Sequence, residues 1–167
     1  STLAFSNVQP TNAGAYTVRL TNLAGVVTSR VAQLSVAAGW VFTNAQGTQL
    51  PYRLFLPPKY NPATNYPLVL FWHGAGEVGT DNVGQMKDNG QFAFLSASNL
   101  AKYPCFYLTP QIPYSLSYCG QYDTFLNCAT NLLNSLAGQF AIDPDRVYVT
   151  GLSMGGFLSW IMVARYP

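Results

Sequence analysis

Val147-Tyr148-Val149-Thr150-Gly151-Leu152-Ser153-Met154-Gly155-Gly156 is the stretch that decides the fold. A short β-branched run leads directly into Gly-x-Ser-x-Gly. A helical run, Phe157-Leu158-Ser159-Trp160-Ile161-Met162-Val163-Ala164, follows without a break. In that strand–turn–helix context the serine stands on a strained turn, with its Oγ projecting above the end of the strand. Side chains at 151 or 155 would collide with the neighbouring strand and helix, so glycine is required there. The helix N-terminus then turns its free N–H groups toward the serine and favours negative charge beside it. Ser153 is the candidate nucleophile.

The pattern upstream supplies the rest of the layer. Trp40-Val41-Phe42 and Tyr52-Arg53-Leu54-Phe55-Leu56 read as paired strands with Gly47 in the turn. Pro67-Leu68-Val69-Leu70-Phe71-Trp72, Cys105-Phe106-Tyr107-Leu108 and Val147-Tyr148-Val149 are continuous apolar runs, suited to parallel strands buried on both faces. Residues 122–140 carry Phe125, Leu126, Ala129, Leu132, Leu133 and Leu136 at helical spacing. Strand–helix–strand alternation predicts an α/β fold with a mostly parallel sheet flanked by helices.

Residues 1–36 follow a different rule. Ala15-Tyr16-Thr17-Val18-Arg19-Leu20 and residues 26–36 read as strands, joined by Thr21-Asn22-Leu23-Ala24-Gly25, where Asn and Gly suit a hairpin turn. Leu3-Ala4-Phe5 looks like the end of a third strand. Asn12-Ala13-Gly14-Ala15-Tyr16 resembles the tyrosine corner of immunoglobulin-like domains, with Val18 where an antibody-type domain has its second disulfide cysteine. The expected organisation is the C-terminal strands of an Ig-like β-sandwich over residues 1–37, then the N-terminal part of an α/β domain over 38–167. Two or three strands close no sandwich core, so the first domain is expected to be incomplete here.

Composition narrows the function classes. The 167 residues are 49% hydrophobic and 14% aromatic, enough for a packed core, but only 8% charged. An average soluble protein is about 25% charged. A net charge of +2 gives no basic stripe and argues against nucleic acid. No apolar run reaches the roughly 18 residues of a membrane helix. No signal peptide is visible, and the low charge fits a secreted or extracytoplasmic protein. Cys105, Cys119 and Cys128 have no CxxC spacing, and one His completes no usual zinc site. They read as free thiols or as a Cys119–Cys128 bridge.

With these motifs in place, residues from about 50 to 167 resemble bacterial α/β-hydrolase serine esterases. That group includes polyhydroxybutyrate depolymerases, feruloyl esterases, and phospholipase/carboxylesterase-like or peptidase-like proteins. The resemblance rests on Tyr52-Arg53-Leu54-Phe55-Leu56-Pro57, on His73-Gly74-Ala75-Gly76-Glu77 with Gly79-Thr80-Asp81-Asn82, and on Thr109-Pro110-Gln111. It continues through Asp143-Pro144-Asp145-Arg146 into the Ser153 turn. Some members carry an N-terminal Ig-like domain. The resemblance implies carboxylic-ester hydrolysis by a Ser–Asp–His acyl-enzyme mechanism, with no metal or organic cofactor. It implies an oxyanion hole from Met154 N–H and from Ala75, or second choice Gly76, in the loop after residues 67–72.

The single histidine invites error. In this fold the triad runs Ser, Asp or Glu, then His along the chain, and His73 precedes Ser153. A structural role, bracing the oxyanion loop, is therefore expected for His73, and a loop-stabilising role for Glu77. Asp81, Asp88, Asp123, Asp143 and Asp145 all precede Ser153, and the residues after it hold no Asp, Glu or His. Acid and base are expected beyond residue 167, so the 167 residues by themselves are expected to be nearly inactive and, with an apolar strand edge exposed, poorly soluble. The expected substrate is a small-molecule or polysaccharide-linked ester, such as an acyl or feruloyl ester. A prolyl-oligopeptidase-type peptidase and a non-catalytic Ig-linked binding protein are the alternatives.

Overall fold

The computed structural model describes residues 14–34, 39–87, 93–114 and 122–166. The chain divides into two compact units, Ser1–Ala38 and Gly39–Pro167.

The first unit is an antiparallel ribbon. Strand β1 (Gly14–Tyr16) pairs with β4 (Ala32–Leu34), and β2 (Arg19–Asn22) pairs with β3 (Gly25–Thr28). Each of the two expected strands is thus split. At the break the Ser29 hydroxyl accepts the Val18 N–H at 2.9 Å, and Ser29 N–H donates to the Val18 carbonyl at 2.8 Å. One extra residue stands on the second strand, as in a bulge. The turn works as expected at Gly25, whose φ is 142°. Asn22 contributes through its side chain instead, accepting the Ala24 N–H at 2.8 Å. Val18, Leu20, Val26, Val27 and Val31 are exposed. Leu3-Ala4-Phe5 and Asn12-Ala13 of the tyrosine-corner motif lie outside the described residues.

The second unit is a five-stranded sheet in the order β5-β6-β8-β7-β9. The strands are β5 (Gly39–Thr43), β6 (Gln49–Phe55), β7 (Tyr66–Trp72), β8 (Phe106–Pro110) and β9 (Ile142–Gly151). The sheet is mixed rather than mostly parallel. The β5–β6 hairpin, turned by Gly47 at φ 80°, joins β8 antiparallel, whereas β7 pairs parallel with both β8 and β9. Strand β8 is buried throughout, as its apolar run predicts. Strand β9 is not: Val147 and Tyr148 are 43% and 55% exposed, because β9 pairs only with β7 among the described strands.

Helix α1 (Ala97–Lys102) follows β7, α2 (Tyr122–Ala137) follows β8, and α3 (Met154–Arg165) follows β9. The apolar stripe of α2 is buried at Phe125, Leu126, Ala129, Leu132 and Leu136. It packs with Leu68, Leu70 and Trp72 of β7, Phe106 and Leu108 of β8, and Leu158 and Met162 of α3. The alternate residues of β7 and β8 face the other way. There Phe71 stacks on Tyr107 at 6.1 Å between ring centres, and Phe94, just ahead of α1, lies 5.8 Å from Tyr107. The crossovers thus leave the sheet to opposite faces. In such sheets the ligand crevice lies at the carboxyl ends of the strands where connections diverge.

Leu108 is fully buried at the centre of this core. Leu108→Ala should destabilise the domain by about 2–5 kcal/mol, the usual cost of a lost transfer term plus a cavity. Urea unfolding of the two proteins checks this.

Candidate active site

The site is built where β7 and β9 end together. Their register pairs Trp72 with Gly151, so the loop after β7 and the turn after β9 start side by side. Leu152 N–H donates to the Trp72 carbonyl at 3.1 Å, carrying the pairing one residue further. Ser153 then adopts φ 52° and ψ −113°, left-handed backbone that costs a non-glycine residue about 1–3 kcal/mol. What forces it is close backbone packing. A Cβ on Gly155 would overlap the Trp72 carbonyl oxygen and lie 2.8 Å from the His73 carbonyl oxygen. A Cβ on Gly151 would lie 2.6 Å from both the Trp72 and Gly155 carbonyl oxygens. With both glycines pressed on the end of β7, the chain reverses within Leu152-Ser153, and Gly155 N–H closes the turn onto the Leu152 carbonyl at 2.7 Å. Ser153 is left exposed. Met154 opens α3, so its N–H has no acceptor within the helix.

The facing loop is a short 3-10 turn, Ala75–Glu77. Gly74 is buried against the elbow, where an added Cβ would sit 3.6 Å from the Leu152 carbonyl oxygen. Ala75 and Gly76 are exposed. His73 is fully buried behind them. Its Nε2 accepts the Ile112 N–H at 2.8 Å, so the ring is neutral with the proton on Nδ1, which donates to the Gly74 carbonyl at 2.7 Å. The Gly74 carbonyl and the Ala75 N–H share one planar peptide and point in opposite directions. Fixing the carbonyl toward the buried histidine therefore aims the Ala75 N–H away from it. Glu77 N–H also reaches the Gly74 carbonyl, at 3.3 Å. One Glu77 carboxylate oxygen, Oε2, is buried without a hydrogen-bond partner, and a Cβ on Gly74 would come within 2.8 Å of it.

Beyond the turn, residues 79–84 form a polar clasp that sequence reasoning read only as a motif. Asp81 Oδ1 accepts N–H groups from Val83 and Gly84, each at 2.9 Å, and the Gln111 amide at 2.8 Å. These donors, Gly84 foremost, then Val83 and Gln111, hold the Asp81 carboxyl down at about 2. Asn82, at φ 55°, donates through its side chain to the Trp40 and Tyr52 carbonyls and receives Arg53 Nε on its own carbonyl. Gln111 and Ile112 at the β8 end were not read as site-supporting residues. Gln111 entered the sequence reading only as the last residue of the Thr109-Pro110-Gln111 motif, with no role attached, and Ile112 had no signal.

The remaining acidic residues lie elsewhere. Asp143 accepts Arg146 Nε at 2.7 Å and the Asp145 N–H at 3.0 Å, and these contacts, the arginine first, lower its pKa. They shape the bulge that offsets β9 between Ile142 and Val147. Asp123 pairs with Arg165 across α2 and α3. Asp88 lies outside the described residues, as does Cys119. Cys105 and Cys128 are buried free thiols, and burial pushes both up in pKa. Among the described residues no cluster of three His, Cys, Asp or Glu could hold a metal ion, and no helix is long and apolar enough to cross a membrane.

No protein-family model matches the chain. Its structure is similar to that of a thermostable esterase, with 30% identity, TM-score 0.73, and coverage of 90% of this chain and 45% of the esterase. It is also similar to a CE1 ferulic acid esterase of Anaeromyces mucronatus solved with ferulic acid, at 18% identity and TM-score 0.56, covering 76% of this chain and 52% of that one. Poly(3-hydroxyalkanoate) depolymerase C of Paucimonas lemoignei is 47% identical over 36 residues, which are 22% of this chain and 9% of the depolymerase. The chain thus spans less than half of the length of the thermostable esterase and a small part of the depolymerase. The fold of the second unit is that of the α/β-hydrolase esterases, with a mixed sheet.

Two predictions test the geometry. Gly155→Ala cannot keep the elbow where it is, so in the complete polypeptide that carries this sequence it should abolish the labelling of Ser153 expected with a fluorophosphonate probe, even where the protein remains folded. Asp81→Asn should lower the thermal midpoint at neutral pH. Because the folded-state pKa is depressed, the wild-type advantage is fully present above the ordinary carboxylate range and is lost as pH falls through about 2. Melts of both proteins should show a constant gap above about pH 5 that narrows on acidification.

Proposed function

We propose that this protein is a serine esterase whose nucleophile is Ser153. The observation that carries the reading is the exposed serine at φ 52° at the mouth of a helix, beside a glycine-rich turn that presents backbone N–H groups. Ser153 Oγ attacks the ester carbonyl and loses its proton to a histidine. The tetrahedral oxyanion rests on the N–H groups of Met154 and Ala75, with Gly76 the next in line. The alcohol leaves, and water releases the acid from the acyl-enzyme. Each such donor contributes on the order of 3 kcal/mol to lowering the barrier.

The base is not His73, whose ring nitrogens are held by Ile112 and Gly74 inside the domain. We infer that the catalytic histidine and its acidic partner come from polypeptide outside these 167 residues. The substrate class is a carboxylic ester, with acyl or feruloyl esters of polysaccharide as the specific proposal. That proposal is supported by the similarity to the ferulic acid esterase fold and by the local identity to a polyester depolymerase.

The test uses the complete polypeptide that carries this sequence. It should hydrolyse p-nitrophenyl acyl esters and methyl ferulate and leave peptide anilides intact. Ser153→Ala should lower kcat about 10⁴–10⁶-fold with the fold unchanged. Cleavage of peptide anilides in preference to esters would favour a peptidase, and turnover that survives Ser153→Ala would sink the assignment.

A further inference from the structure

The turn that presents the candidate oxyanion donors is held at both ends by two consecutive residues, Gln111 and Ile112, at the end of β8. Ile112 acts through His73, which fixes the Gly74 carbonyl, and its own carbonyl accepts the Gly79 N–H at 2.9 Å. Gln111 acts through its side chain on the other end. Its Nε2 donates to the Glu77 carbonyl at 3.2 Å and to Asp81 Oδ1 at 2.8 Å, while its Oε1 accepts the Asn82 N–H at 2.6 Å. A primary amide has two N–H donors, and both are engaged. The residue is fully buried, and its backbone N–H is tied to the Pro51 carbonyl of β6 at 2.7 Å. The amide is therefore anchored to the sheet rather than to the loop it holds. The loop in turn makes room for it. A Cβ on Gly84 would lie 2.7 Å from Gln111 Nε2, and one on Gly79, whose φ is 156°, would lie 2.9 Å away.

We propose that Gln111 is a positioning residue for the oxyanion turn. Its amide locks the Glu77 carbonyl and the Asp81 loop to the end of β8, and so fixes the direction of the Ala75 and Gly76 N–H groups. The inference rests on the esterase reading of Ser153. Gln111 touches no substrate, so its loss acts on the transition state through the turn. A displacement of about 1 Å in such a group costs on the order of 10²-fold in rate. Ground-state binding, which does not depend on an oxyanion contact, should change little.

Gln111→Glu keeps the size of the side chain and the acceptor for Asn82. It replaces the donor by an oxygen facing Asp81 and the Glu77 carbonyl. In the complete polypeptide, with p-nitrophenyl acetate as substrate and active sites titrated with a fluorophosphonate, kcat per titrated site should fall about 10–100-fold, with KM within about threefold of wild type. Gln111→Met, which keeps the length and removes every polar contact, should move the same two parameters in the same direction, and it decides the matter if Gln111→Glu does not fold. A general loss of structure would instead reduce the number of titrated sites and leave kcat per site unchanged. That result, or a fall in kcat/KM carried by KM, overturns the proposal. Ser153→Ala run in parallel separates the two ideas. Its inactivity beside unimpaired Gln111 variants removes only the role of Gln111, whereas a wild type without ester hydrolysis removes both.

Discussion

The contact on which the second unit of this structure depends is backbone against backbone, where the Gly151–Gly155 turn meets the end of β7. Trp72 presents its carbonyl to both glycines and accepts the Leu152 N–H. No side chain fits between these elements, so the chain must turn within two residues, and the residue at the apex takes a conformation it would otherwise avoid. The strain at Ser153 is thus a consequence of packing the strand and helix closely. It is stabilised by the buried core beneath, where Leu158 and Met162 of α3 join the β7 and α2 side chains. The same closeness sets the position of the second loop. Because Trp72 lies level with Gly151, the residues after Trp72 start beside the elbow, and Gly74 runs against Leu152.

Legibility in the sequence divides along the same line. Strands β7 and β8, the stripe of α2 and the Gly-x-Ser-x-Gly turn were readable because each is fixed by a local rule: continuous burial, helical period, or a glycine demanded by close approach. Strand β9 was misjudged as buried on both faces. A Val-Tyr-Val run carries no information about which strand lies beside it, and the exposure of Tyr148 depends on sheet order. The mixed character of the sheet has the same origin. The hairpin of β5 and β6 was readable from Gly47, but its antiparallel seat on β8 is a long-range choice. In the first unit, the break at Val18 and Ser29 depends on one hydroxyl replacing one carbonyl in the ladder, which no alternation pattern registers.

The candidate site shows the division most sharply. Ser153 was a candidate from the Gly-x-Ser-x-Gly spacing, and Met154, Ala75 and Gly76 from what the family resemblance implies; all four lie on the two turns that start side by side after β7 and β9. The chain order argued against His73 as the base, and its ring contacts agree: the Ile112 N–H donates a hydrogen bond to Nε2 and the Gly74 carbonyl accepts one from Nδ1–H. Gln111 was legible only as the end of the Thr109-Pro110-Gln111 motif, with no role attached. Its contacts depend on residues some 30 positions away along the chain meeting its amide, which no local pattern registers.

Neutral dipoles make most of the polar contacts around the Ala75–Glu77 turn. The His73 ring, the Gln111 and Asn82 amides and backbone groups make them, with Glu77, Asp81 and Arg53 the charged residues among them. Buried ions near a developing oxyanion carry a desolvation penalty and must be compensated locally. Fixed N–H dipoles have no charge to desolvate and need not reorient as the oxyanion forms. Asp81 Oδ1 is met by three N–H donors, those of Val83 and Gly84 within one turn of chain and the Gln111 amide from 30 positions away. The Asp81 charge is consumed in holding the loop, and in the proposed reaction the polarity that meets the oxyanion is left to the peptide groups of Met154 and of the Ala75–Glu77 turn.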